Sequence, residues 1–126
     1  MDHSGVMNIL VLDDDTNIHP YYRYVIRHVR GVGTICLASD EKQFVEMLGR
    51  TNFHVIVVDI HMEPKSGPDI LRSHKDKLVG KEIIILSCAD DIHFEADSLT
   101  RDGLQVLAYF QKPLVIEDFV ELLSCN

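Results

Sequence analysis

Four short apolar runs constrain the fold of this chain more than any other feature: Ile9-Leu10-Val11-Leu12, Val55-Ile56-Val57-Val58, Ile83-Ile84-Ile85-Leu86 and Val106-Leu107-Ala108-Tyr109-Phe110. Each is rich in β-branched or aromatic residues, and each is continuous rather than alternating. A strand with one wet face alternates apolar and polar residues, whereas a strand covered on both faces is apolar throughout, as in a parallel sheet. Thr34-Ile35-Cys36-Leu37-Ala38 is a weaker fifth run. Helical patterns lie between the runs. Ile18, Tyr22, Val25, Ile26 and Val29 form one stripe over 18–30, with Pro20 tolerated in the first turn and Gly31 and Gly33 as the stop. Asp40 and Gln43 are spaced as a capping box ahead of Phe44, Val45 and Leu48. Ile70, Leu71, His74 and Leu78 mark a third helix. The polar stretch 90–101 marks a fourth, and Ile116, Phe119, Val120 and Leu123 mark a fifth. Five strands alternating with five helices predict an α/β sheet with helices on both faces, joined by right-handed crossovers.

Length and charge narrow the function. A chain of 126 residues with 46% apolar and 25% charged residues predicts a single globular domain. Twenty acidic residues against 12 basic ones give a net charge of −8. That balance argues against direct nucleic-acid binding, which needs Lys and Arg in excess to neutralise phosphates, and against an anionic membrane surface. No apolar run approaches the length of a membrane span, and Met1 to Gly5 do not form a signal peptide. Cys36, Cys88 and Cys125 are odd in number and lack C-x-x-C spacing, so they read as reduced thiols of a cytoplasmic protein.

The chemistry begins where the runs end. Asp13-Asp14-Asp15 follows the first run directly, Asp59 the second, Ser87 the third and Lys112 closely the fourth. In a parallel sheet these ends share one edge, and ligands bind in the crevice outside the carboxyl ends of the strands. Two carboxylates about 4 Å apart repel by roughly 4 kcal/mol at an effective dielectric near 20, so a proton or a cation must offset them. An all-oxygen site of this kind suits Mg²⁺, with Mn²⁺ as the alternative. Asp15 alone reads as a helix cap. Pro113 ends the last strand, and a cis Lys112–Pro113 bond would aim the lysine at the crevice.

Taken together, Leu12-Asp13-Asp14, Val58-Asp59-Ile60-His61-Met62, Gly67 eight residues after Asp59, Leu86-Ser87 and Tyr109-Phe110-Gln111-Lys112-Pro113 resemble the receiver domain of bacterial two-component response regulators. The similarity runs from Met7 to Leu123. It implies one domain over 1–126 with a flexible extension at 1–6. It also implies a flavodoxin-like fold, a doubly wound five-stranded parallel sheet in the order 2-1-3-4-5 with five helices. Asp59 stands at the phospho-acceptor position. The resemblance further implies Mg²⁺ held by Asp13, Asp14, Asp59 and the His61 backbone carbonyl, and Lys112 and Ser87 set against the phosphoryl oxygens. Ser87 and Tyr109 would form the switch pair, with Met62, Cys88 and Ala89 on the rim of the phosphoryl site. The implied partners are a sensor histidine kinase or phosphotransfer protein, a second copy through the helix 4–strand 5–helix 5 face, and a C-terminal output domain beyond this chain. Such a domain catalyses only its own phosphotransfer and dephosphorylation. Two departures stand out. Glu63 occupies the place where receivers commonly carry proline, with Pro64 one later, and Cys88 stands where they carry alanine or glycine.

Two other functions compete. Asp13-x-Asp15 also fits the start of the motif of aspartate-nucleophile phosphatases of the haloacid-dehalogenase type, although Asn17 replaces the usual threonine or valine and the chain lacks length for a cap. A degenerate receiver acting as a constitutive interaction module is the other alternative.

Overall fold

A computed structural model describes residues 6–87, 92–112 and 114–124, with the backbone alone for 92–96 and 124. Strands β1 (Met7–Leu12), β2 (Val32–Ala38), β3 (Val55–Asp59), β4 (Glu82–Ser87) and β5 (Val106–Gln111) alternate with helices α1 (His19–Ile26), α2 (Glu41–Arg50), α3 (Gly67–Ser73), α4 (Ile92–Arg101) and α5 (Ile116–Ser124). The strands form one parallel sheet in the order β2-β1-β3-β4-β5. The continuous apolar runs have the expected cause. In β1, Ile9 and Val11 pack with Tyr22, Val25 and Ile26 of α1 and Phe119 of α5. Leu10 and Leu12 point the other way and pack with Phe44 of α2, Ile70 and Leu71 of α3 and Leu99 of α4. β3 and β4 divide their residues between the two cores in the same manner. The outer strands β2 and β5 are only part-buried, which accounts for the weaker apolar signal of the former. No helix among the described residues is long and apolar enough to cross a membrane.

Local chemistry sets the helix boundaries. The Asp40 side chain caps α2 by accepting from the Gln43 amide at 2.8 Å. Gln43 reaches back one residue further than the capping-box pattern, taking the Ser39 amide at 2.8 Å. The stripe expected over 18–30 is built in two parts. The α-helix ends at Ile26, and tighter turns through His28 and Val29 keep Val29 buried before Gly31 at φ +85. The third helical pattern is likewise divided. α3 ends at Ser73, and a 3₁₀ turn over Lys75–Leu78 carries Leu78 into the core. The break falls at His74, whose Nε2 lies 2.7 Å from Glu41 Oε2, so the ring turns away from the sheet toward α2. Lys65 Nζ joins the same carboxylate at 3.2 Å and ties the β3–α3 loop to the start of α2. The His74 contact, helped by the Lys65 bond, holds the Glu41 carboxyl below the ordinary range against the opposing effect of burial. The Lys112–Pro113 bond, residues 1–5 of the N-terminal extension, Cys88, Ala89 and Cys125 lie outside the described residues.

Gly67 opens α3 with its Cα pressed against the end of β3. A Cβ there would stand 2.0 Å from the Asp59 carbonyl oxygen and 2.7 Å from Val58 Cγ1. The Gly67 amide also donates to the Ile60 carbonyl at 3.0 Å, closing the loop that follows Asp59. Gly67→Ala is therefore expected to lower stability by about 1–3 kcal/mol, the usual cost of forcing backbone apart in a packed region. Chemical denaturation should show the loss together with amide shifts at 59–62. Unchanged stability would contradict this close packing.

Candidate functional site

The β1 and β3 strands deliver Asp13 and Asp59 to the carboxyl edge of the sheet side by side, because Leu12 pairs with Val58 across the ladder. Ser87 ends β4, and the Lys112 amide continues the β4–β5 ladder by donating to the Ser87 carbonyl at 2.9 Å. The edge thus brings together four groups from four strands. The Lys112 ammonium lies 2.8 Å from Asp13 Oδ2 and 3.2 Å from Asp59 Oδ2. Asp13 is fully buried, and Asp59 nearly so. Asp14 is exposed, yet carboxylate oxygens of Asp13, Asp14 and Asp59 all lie within 4.8 Å of one another. Three carboxylates converging in this way form an all-oxygen donor set with an open side at Asp14, which fits a hard divalent cation. Asp15 does cap the following 3₁₀ turn, accepting from the Asn17 amide at 3.1 Å.

The two buried carboxylates are not equivalent. Burial pushes the Asp13 carboxyl up, but the Lys112 bond, the Tyr22 hydroxyl and the Asp15 amide together outweigh it and hold the group below the ordinary aspartate range. Burial also pushes Asp59 up, the Asp13 charge adds to the effect, and Lys112 and the His61 amide offset only part, so Asp59 stays above that range. Burial disfavours the Lys112 ammonium. The Asp13 bond and the Asp59 charge more than compensate, and its pKa lies above the usual lysine value. Asp13 is the structural anchor of the pocket and Asp59 its high-energy member.

The remaining expected residues are spread around this centre. The His61 amide approaches Asp59 Oδ1 at 3.3 Å, and its Nε2 lies 3.3 Å from Ser87 Oγ. Met62 is buried and packs in the core shared with Ile60, Ile70 and Leu71. Tyr109, on β5 opposite Ile85, is 40% exposed. Glu63 is exposed, and the Glu63–Pro64 peptide is cis. Two contacts escaped the sequence reading. Tyr22 Oη donates to Asp13 Oδ2 at 2.6 Å, and His19 Nε2 lies 2.8 Å from the Asp13 carbonyl oxygen. The one available signal was that Tyr22 places a polar tip in an otherwise aliphatic stripe, and a buried phenol requires a partner.

These charges make opposite predictions for two isosteric substitutions. In metal-free buffer at pH 7, Asp59→Asn is expected to raise stability by about 1–2 kcal/mol, since it removes a buried charge that folding disfavours. Asp13→Asn is expected to lower it by about 2–3 kcal/mol, since it takes an acceptor from buried donors. The signs carry into pH. Asp59, with its raised folded pKa, is destabilising above that pKa and is relieved as pH falls through it. Asp13, with its depressed pKa, contributes stability that is lost only at lower pH. The advantage of Asp59→Asn over wild type should therefore shrink as pH is lowered toward about 4. Thermal melts across that window check it, and an advantage independent of pH would contradict the assignment.

The comparisons with known proteins agree with this geometry. The model of the response regulator receiver domain family matches residues 9–124. The transcriptional regulatory protein DcuR of Escherichia coli K12 is 26% identical over 121 residues, which cover 94% of this chain and 49% of DcuR. The chain thus spans about half the length of the curated relatives it matches. A response regulator receiver domain protein from Clostridium thermocellum superposes with a TM-score of 0.78 at 23% identity, covering 95% of this chain and 93% of that one. A response regulator from Burkholderia pseudomallei, solved with a phosphorylated aspartic acid, a calcium ion and citrate, gives 0.76 at 24% identity over 93% of this chain and 66% of that one. With its β2-β1-β3-β4-β5 sheet and a family match over nearly its whole length, this chain belongs to the receiver domains of two-component response regulators.

Proposed function

We propose that this receiver is a phospho-accepting switch, with Asp59 as the acceptor. The observation that carries the reading is the Lys112 ammonium seated between two buried carboxylates, 2.8 Å from Asp13 and 3.2 Å from Asp59. Asp59 is the better nucleophile of the pair. Among the described residues its Oδ1 takes only the long 3.3 Å approach of the His61 amide, whereas both oxygens of Asp13 are bonded and that residue is fully buried. The same contrast disfavours the phosphatase alternative, which needs Asp13 to attack. In the transfer, an Asp59 oxygen forms the new O–P bond while the P–N bond of a phosphohistidine breaks. The imidazole of the partner kinase or phosphotransfer protein leaves with the electron pair and takes a proton from water. Mg²⁺ held by Asp13, Asp14, Asp59 and the His61 carbonyl would supply charge neutralisation at the phosphoryl oxygens. The residues present fit that role, because their carboxylates already lie within 4.8 Å of one another.

Lys112 then pairs with a phosphoryl oxygen, and the Ser87 hydroxyl turns from His61 to donate to another. As the Ser87 hydroxyl moves, the half-exposed Tyr109 ring turns toward the sheet. The α4–β5–α5 face would thereby pass between two states and dock a second copy. The relatives' double length and the name of DcuR, a transcriptional regulatory protein, support a longer regulator that carries an output domain besides the receiver. The aspartyl phosphate, calcium ion and receiver-like fold of the Burkholderia protein support the same chemistry here.

Incubating the chain with acetyl phosphate and Mg²⁺ is expected to add one phosphate by intact mass. Asp59→Asn or removal of Mg²⁺ with EDTA should abolish the addition. Labelling that persists undiminished in Asp59→Asn would end the assignment, and a wild-type chain that takes up no phosphate would favour the constitutive interaction module.

A further inference from the structure

Tyr22 is a fully buried polar group that the transfer chemistry leaves unused. It lies on the sheet-facing stripe of α1, where phenylalanine would fill the same space without a hydroxyl to satisfy. Its hydroxyl donates at 2.6 Å to Asp13 Oδ2, the same oxygen that accepts from Lys112 Nζ at 2.8 Å. The other Asp13 oxygen takes the Asp15 amide at 2.9 Å. For Lys112 to reach a phosphoryl group, its ammonium must leave Asp13. With no second donor, that departure would leave a buried carboxylate oxygen bare, which is costly in a low-dielectric setting.

We propose that Tyr22 is a positioning residue that frees Lys112: its hydroxyl stays on Asp13 Oδ2 when the ammonium moves to the phosphoryl group. The inference rests on Asp59 being the phospho-acceptor. The same hydroxyl withdraws negative charge from Asp13 that a bound cation would otherwise receive. Removing it therefore has two effects of opposite sign. Asp13 grips a divalent cation more tightly, and it also grips Lys112 more tightly, so phosphorylation slows.

The test uses the full chain with two readouts. Mg²⁺ affinity is followed by amide shifts at Asp13, Asp14 and Asp59, and the phosphorylation rate is measured with acetyl phosphate at saturating Mg²⁺. Tyr22→Phe is expected to bind Mg²⁺ about threefold more tightly and to be phosphorylated about fivefold more slowly, as suits the loss of one charge-assisted hydrogen bond. Tyr24→Phe, on the exposed side of the same helix, should change neither. If Tyr22→Phe folds poorly, 3-fluorotyrosine at position 22 keeps the ring and strengthens the donor, and it should give weaker Mg²⁺ binding with faster phosphorylation. The proposal is overturned if the two readouts fall together, as a purely structural role would have it, or if neither moves. A wild-type chain that binds no Mg²⁺ and takes no phosphate would instead remove the underlying acceptor reading.

Discussion

One ammonium group holds the functional edge of this molecule together. Asp13 and Asp59 arrive on adjacent strands with no freedom to separate, because the β1–β3 register fixes Leu12 against Val58. Their mutual repulsion is built in by the fold. Lys112 offsets it from the end of β5, two strands away from β3, and so couples the two halves of the sheet through a pocket rather than through a ladder. The compensation is uneven. Asp13 has a full set of donors, while Asp59 keeps a raised pKa and a thinly bonded oxygen. On the proposed function, a carboxylate held in that condition would gain when a cation or a phosphoryl group rearranges the charges around it, which is what a switch requires.

The rest of the architecture serves to hold that edge still. Cores on both faces of the sheet make the central strands rigid, so the side chains at their ends inherit fixed positions. Gly67 lets α3 approach to contact with the Asp59 carbonyl, and the Gly67 amide closes the loop onto Ile60. Arg72 joins α3 to its neighbour α4 on the same face of the sheet, donating to Asp102 at 2.6 Å and to Ser98 of α4 at 2.7 Å. Any displacement of α4 must therefore act against a guanidinium anchored on α3.

Much of this was legible from residue order. Unbroken runs such as Ile83 to Leu86 state that both faces of a strand are covered, and the polar residue after each run then marks the shared edge. That logic located Asp13, Asp59, Ser87 and Lys112, although the strand order came from family resemblance and not from periodicity. The missed features share a cause. A helical stripe scores Tyr22 as one more apolar knob, so its hydroxyl bond to Asp13 is invisible until α1 is laid on the sheet. The approach of His61 to Ser87 spans 26 residues and depends on the turn of the loop after β3. The break at His74 follows from Glu41, a partner on another helix that no local pattern contains.

In this pocket Lys112 is bound simultaneously by Asp13 and Asp59. Proton–nitrogen correlation spectra of the lysine ammonium groups test it most directly. Lys112 is expected to give a slowly exchanging ammonium signal without Mg²⁺, and the signal should weaken or shift markedly in both Asp13→Asn and Asp59→Asn. An ammonium at position 112 that exchanges with water as fast as the exposed lysines, and that ignores both substitutions, would contradict it.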